Sequence, residues 1–219
     1  MNEQKTAEKR YFWVSFALML LANRIAFLGS RLLTQNRSHY SLAIPADSAV
    51  PFLPWTIIIY IGCFAFWFLL FRLIARLPRE RADRFFCANL IGHIVCFLFF
   101  AFFPTVITRP TVNGASFWDG CVRLLYYFDA PNDLFPSVHC MIGWLCWAGV
   151  RGNTKVPLPW RAAAAIMAVF VCVSTLTVRQ HVLLDVFAGI LLGEICYWLS
   201  GISTVRGLYS RLVDRLISL

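Results

Sequence analysis

Charged side chains are in short supply. Only 14% of the 219 residues are Asp, Glu, Lys or Arg, against about a quarter in an average soluble domain, too few to cover a separate water-exposed domain. Acids are the scarcest, 11 against 20 basic residues. The net charge of +9 suggests nucleic acid at first sight, but no soluble module interleaves basic residues with aromatics, so nucleic acid is not an expected partner. No Cys-x-x-Cys occurs among the eight cysteines, at positions 63, 87, 96, 121, 140, 146, 172 and 196, which removes the zinc knuckle and the dithiol redox motif. Scattered through apolar segments, they read as small buried filler. An internal repeat is missing, and with it the usual sign of a transporter assembled from paired halves. A cleavable signal is not expected either: Met1–Arg10 is polar, and the apolar run that follows has no small-x-small site.

What the chain has in quantity is apolar residues, 59% of the total. A bilayer span needs about 20 of them in a row. Six stretches qualify or come close: Tyr11–Gly29, Trp55–Ile74, Phe85–Phe103, Ser137–Val150, Trp160–Val178 and His181–Ser200. Gly201–Leu219 sets Arg206, Arg211 and Arg215 among Leu, Val and Ile, the pattern of a helix lying in the interface. The expected fold is therefore all-α: a polytopic membrane protein with six transmembrane helices in one domain, residues 1–219, and a short interfacial C-terminal helix.

With the N-terminus inside, thirteen basic residues fall on inner segments: Lys5, Lys9, Arg10, Arg76, Arg79, Arg81, Arg84, Arg151, Lys155, Arg161, Arg206, Arg211 and Arg215. Five fall outside (Arg31, Arg37, Arg109, Arg123 and Arg179), with Arg24 and Arg72 inside spans. The positive-inside rule then predicts both termini in the cytoplasm of a multi-pass cell-membrane protein. The same parity brings three polar motifs to the outer face: Thr105–Pro110, Phe135–His139 and Ser174–Asp185.

Each motif has chemistry to offer. Pro136-Ser137 before an apolar run is a helix start, and first-turn N–H groups beside Ser137 and His139 suit a phosphate. Arg109 and Arg179 offer paired donors to phosphoryl oxygens. His181 and Asp185 are four apart, which places them on one face of a helix where the carboxylate can hold the imidazole. Ionisable groups are costly in a bilayer, so the cluster reads as functional.

The order Arg109-Pro110, then Pro136-Ser137-x-His139, then Ser174-x6-His181-x3-Asp185 resembles the type-2 phosphatidic acid phosphatase superfamily of lipid phosphatases and phosphotransferases. Three positions depart from its pattern: Phe102 stands where the family has a lysine, Thr175 where it has an arginine, and Val138 where it has a glycine. Arg179 stands as a replacement for one missing cation and Arg24, near the outer end of the first span, for the other. The run Ser174-Thr175 followed by Arg179-Gln180-His181 is similar to the phosphotransferase side, including sphingolipid headgroup transferases.

The resemblance implies a lipid phosphatase acting at the outer face on a lipid phosphate or diphosphate. His181 would be the nucleophile, forming a phosphohistidine. Asp185 would orient it, and His139 would be the general acid and base. Arg109, Ser137, Arg179 and Ser174 would bind the substrate phosphate. No metal or cofactor is required. The expected partners are the lipid phosphate substrate and the surrounding membrane lipids. A phosphotransferase passing the group to a lipid alcohol is the alternative, and a non-catalytic lipid-binding or transport protein is a second.

Other polar residues have simpler readings. His93, mid-span, is expected to be a hydrogen-bonded structural histidine, and His39 to sit in a solvated loop. Glu194, nine residues past Asp185, faces away from it and is expected to pair or pack. Asp119, Asp129 and Asp133 fall in the outer loop, where they would cap, order the loop or sense a headgroup. Arg76–Arg84 reads as a topology signal. The loops Ser30–Pro54 and Pro104–Pro136 are long enough to cover a lateral entrance.

Overall fold

A computed structural model describes residues 2–218 of the chain. Its regular elements are helices: α1 (Asn2–Arg24), α2 (Ser30–Thr34), α3 (Ile57–Ile74), α4 (Arg79–Phe102), α5 (Phe117–Phe128), α6 (Val138–Val150), α7 (Leu158–Thr177), α8 (Leu183–Leu199) and α9 (Ser203–Ser218). A π-helical turn, Ile25–Gly29, joins α1 to α2, so one apolar rod runs from Lys5 to Thr34.

Four stretches are long and apolar enough to cross a membrane: Lys5–Thr34, Pro54–Ile74, Arg79–Phe102 and Leu158–Thr177. A fifth arises only if α8 and α9 count as one span, and an 88° bend separates them. The expectation of six is thus met by four to five on length. The shortfall has a local cause. α6 has 13 residues, about 20 Å of helix against a hydrocarbon core of about 30 Å. The Ser137 cap fixes its start, and Gly152, at φ +68°, follows its end. α6 is also the most enclosed helix, packed by α4, α7 and α8, with Cys140, Met141, Leu145 and Ala148 all at 0% exposure.

The outward faces carry large apolar side chains instead of charge, among them Ile58, Phe102, Val169, Phe187 and Leu191. Such a contiguous apolar exterior over polar-satisfied helices is what lipid requires and water penalises. Inside, polar groups find partners. His93 Nδ1 bonds the Asn89 carbonyl at 2.7 Å, and Asn23 Nδ2 donates to His93 Nε2 at 3.3 Å. Glu194 accepts from Trp144 Nε1 at 2.7 Å and pairs with Arg151. Both are structural, as the sequence suggested.

α9 crosses the end of the bundle, burying Tyr209 and Val213. Arg79 bonds Asp214 at 2.7 Å, Arg206 bonds Glu80 at 2.8 Å, and the Ser210 hydroxyl donates to Asp83. At the other end the long connections are ordered. The Tyr40, Thr105–Ile107 and Pro131–Asp133 segments exchange backbone bonds, such as Val106 N to Tyr40 O at 2.9 Å and Asp133 N to Thr105 O at 3.0 Å. α5 was not foreseen. A Ser116–Asp119 capping box opens it, and it lays Val122 beside Ile57 and Tyr60 while Phe117, Tyr127 and Phe128 face outward.

Candidate active site

His181 does not sit on a helix. α7 ends at Thr177, Arg179 takes a left-handed φ of +52°, and Val182 is the N-cap of α8. The contact expected from helical spacing forms by another route. Asp185, in the first turn of α8, reaches back so that one carboxylate oxygen, Oδ2, accepts from Val182 N–H at 3.1 Å and from His181 Nδ1 at 3.2 Å. A carboxylate only accepts, so Nδ1 is the donor and Nε2 is the ring nitrogen left free of Asp185. Main-chain bonds fix the ring's position, because the Thr175 carbonyl accepts from both Gln180 N–H (2.9 Å) and His181 N–H (3.2 Å).

His139 reaches the same place from α6. Ser137 caps that helix, its hydroxyl accepting from Cys140 N–H at 3.3 Å. The two helix starts are tied together by Ser137 N–H donating to the Asp185 carbonyl at 3.0 Å. The close approach is possible because Gly189 lies where α8 crosses α6: a Cβ there would come within 2.4 Å of the Ser137 carbonyl oxygen. The imidazole of His139 stacks on Tyr60 at 4.4 Å, with Phe64 and Trp67 around it. Its Nε2 is buried and makes no hydrogen bond. The ring centroids of His139 and His181 are 6.3 Å apart.

Both rings face a cavity of about 330 Å³ walled by α1, α3, α5 and the 129–134 segment. Asn23, Arg24 and Arg31 line one side and Gln180 the other. Arg31 lies 3.7 Å from both Asp129 and Asp133. Burial raises the Asp129 pKa, opposed by Arg109, Arg31 and His181. Burial also raises that of Asp133, which is held at φ +59°.

The four residues expected to bind phosphate are not gathered on this cavity. Arg109 donates to the Asp129 carbonyl at 2.5 Å and to Gln180 Oε1, and lies 4.6 Å from the centre of the Tyr126 ring. It therefore touches the site through Gln180, while its guanidinium shares an adjacent cleft with Arg179. Arg179 is spent on the loop, bonding the Asp47 carbonyl at 2.8 Å and the Val50 carbonyl at 2.5 Å. Ser137 is a buried cap. Ser174, also at 0% exposure, bonds the Val171 carbonyl of its own helix at 2.9 Å. Phe102 points outward at 73% exposure, and Thr175 is enclosed, its hydroxyl on the Cys172 carbonyl at 2.8 Å.

The cations that do line the cavity are Arg24 and Arg31. Arg31 had read only as a loop charge, although its spacing of seven from Arg24 was a signal that both share a helix face. Gln180 belongs to the Arg179-Gln180-His181 run, but the Tyr60–Phe64–Trp67 stripe carries no motif to single it out. Among the described residues no three His, Cys, Asp or Glu side chains gather as metal ligands.

The helical bundle thus sets a carboxylate-held histidine across a cavity from a second histidine. The family comparison falls on the same stretch. Residues 108–206 match the PAP2 superfamily, so the stretch that carries Arg109, His139, His181 and Asp185 is similar to that family, in agreement with the resemblance read from the motifs. No match is found among curated proteins or among solved structures.

Proposed function

We propose that this protein is an integral-membrane phosphatase hydrolysing a lipid phosphate or diphosphate monoester through a phosphohistidine. His181 Nε2 attacks phosphorus, and the bond from phosphorus to the lipid oxygen breaks. His139 gives that oxygen its proton, then takes one from the water that attacks the phosphohistidine. Phosphate leaves and His181 is restored. The observation that carries this reading is the pair of imidazoles on one cavity, His181 oriented by Asp185 at 3.2 Å and His139 at 6.3 Å. With both rings on one cavity, this spacing brings nucleophile and acid within reach of a single phosphoryl group.

Charge on the phosphoryl oxygens would be met by Arg24 and Arg31 in place of the family cations lost at Phe102 and Thr175. The first-turn N–H groups of Val138 and His139, which lack intrahelical acceptors, would add to it. Arg109 acts through Gln180. Ser137 and Ser174 hold helix ends, and Arg179 holds the loop that caps α8, where Asp47 Oδ1 accepts from Leu183 N–H at 2.8 Å. No step calls for a metal or cofactor. α6 and α8 complete a six-span, single-domain bundle, with both termini cytoplasmic and the site on the outer face, as the basic residues favour. A lipid would enter between α3 and the π-helical turn after α1, where Leu28, Ile61 and Phe64 line the cavity. The 41–54 loop is strapped to the α7–α8 turn instead, with Leu53 N–H on the Thr177 carbonyl at 3.0 Å.

One observation favours a second reading. Tyr60, Phe64 and Trp67 surround the general base with apolar ring surface, which suits a lipid alcohol as acceptor better than bulk water. Phosphate release by the detergent-purified protein from a panel of lipid phosphates and diphosphates, with chelator present and His181→Ala beside it, separates the cases. Release that chelator spares and the substitution abolishes supports the phosphatase. Failure on every substrate overturns it, and headgroup transfer from a phospholipid donor to a lipid alcohol then distinguishes a transferase from a silent lipid-binding protein.

A further inference from the structure

The end of the bundle opposite the two histidines carries a second concave surface. α1 begins there with Lys5 and Lys9, and α3 ends there with Arg72 and Arg76. Arg72 is twelve residues beyond Tyr60 on α3, about 18 Å along the axis. Arg72 and Arg76 form the shared wall of two clefts. One, of about 450 Å³, lies between α1 and α3 and includes Lys5, Lys9 and Phe12. The other, of about 740 Å³, lies between α3 and the start of α7 and includes Lys155 and Trp160 over an apolar floor of Phe68, Leu69 and Leu73.

Membrane topology accounts for basic residues at this end but not for the gathering of five of them, Lys5, Lys9, Arg72, Arg76 and Lys155, on concave walls with apolar surface between them. Arg79 is held by Asp83 and Asp214 at 2.8 and 2.7 Å, Arg84 by the Tyr197 carbonyl at 3.0 Å, and Arg206 by Glu80 at 2.8 Å. Arg151 is held by Glu194. The cations on the cleft walls have no such acceptor among the described residues. Arg72 meets only the Phe12 ring, at 4.9 Å from its centre. Among the described residues Glu8 is the single acid on either wall, and it forms no ion pair with them. A half-buried guanidinium beside apolar surface is stabilised by an anion and costly without one.

We propose that these clefts hold the headgroup of an anionic phospholipid. Its phosphate sits on Arg72 and Arg76, with Lys5, Lys9 and Lys155 around it and an acyl chain along Phe68, Leu69 and Trp160. Basic pockets between membrane helices are a recognised form of lipid site. Free phosphate shares the headgroup's chemistry but leaves the apolar floor uncovered. The site stands apart from the catalytic reading and does not depend on it.

Native mass spectrometry of the full chain in neutral detergent tests it, titrating dioleoyl phosphatidylglycerol or dioleoyl phosphatidylcholine with inorganic phosphate as competitor. Each basic residue facing an anionic lipid strengthens binding about fivefold, so Arg72→Gln/Arg76→Gln weakens phosphatidylglycerol retention about 30-fold. Lys5→Gln/Lys9→Gln, at exposed positions, gives the same direction without touching packed side chains. Arg10→Gln/Arg81→Gln removes equal charge outside both clefts and leaves retention unchanged. Equal loss in that control, equal retention of phosphatidylcholine, or displacement by inorganic phosphate would each overturn the proposal.

Discussion

Gly189→Ala tests whether the contact between α6 and α8 sets the catalytic geometry. The added Cβ would lie 2.4 Å from the Ser137 carbonyl oxygen, 3.1 Å from Cys140 Cβ and 3.3 Å from Met141 N. The first is a backbone atom and cannot rotate away. Ordinary van der Waals contact begins near 3.4 Å, so the two helix starts must separate by about 1 Å, and misplacement of that size costs on the order of 100-fold in rate. The 3.0 Å bond from Ser137 N–H to the Asp185 carbonyl stretches with it, carrying His139 away from His181. Overpacking of this kind also destabilises by about 1–3 kcal/mol. The assay is phosphate release alongside thermal unfolding in detergent. Gly62→Ala, where the new Cβ meets nothing within 4 Å, is the control. Gly189→Ala with wild-type rate and wild-type melting temperature would refute the geometry. A lowered melting temperature would register the clash even if the substrate class were wrong.

Three further outcomes are expected. Asp185→Asn keeps a group near Val182 N–H but removes the charge facing His181 Nδ1, and His139→Gln removes the proton donor. Each lowers turnover by about 10²–10⁴-fold, measured in single-turnover phosphate release. Arg31→Gln raises KM about tenfold by removing one charged contact to phosphate, whereas Arg179→Ala lowers the melting temperature by freeing the Asp47 and Val50 carbonyls and leaves KM within about twofold. Asp133 contributes to the pH dependence of stability. Burial raises its folded pKa, so its contribution is complete below the unfolded value of about 3.9 and is lost as pH rises through the raised folded value. Denaturation between pH 3 and pH 7 should show that fall, and Asp133→Asn should flatten it.

Much of the molecule was legible along the chain because its causes are local. Runs of apolar residues set α3, α6, α7 and α8 within a few residues of the expected limits, whereas α1 and α4 begin nine and six residues before theirs, and Pro136-Ser137 marked the start of α6. His139, His181 and Asp185 could be picked out because ionisable groups are rare in such a chain. Even the contact between His181 and Asp185 was foreseen, but for the wrong reason. Helical spacing suggested it, whereas a carboxylate capping its own helix supplies it, and no pattern distinguishes an i to i+4 pair inside a helix from one that straddles its N-terminus.

What the chain could not reveal were the destinations of long, flexible cations and the identity of their neighbours. Arg179 stands two residues from His181 yet reaches the carbonyls of Asp47 and Val50, over 120 residues away. Arg24 and Arg31 come to the cavity from α1 and α2, which both pack beside α4. Local pattern determined the helices and the reactive residue types. Tertiary packing alone decided which charges meet the reacting centre, because a guanidinium's reach exceeds the distance between helices and its partner is chosen by whatever acceptors the fold leaves within that reach.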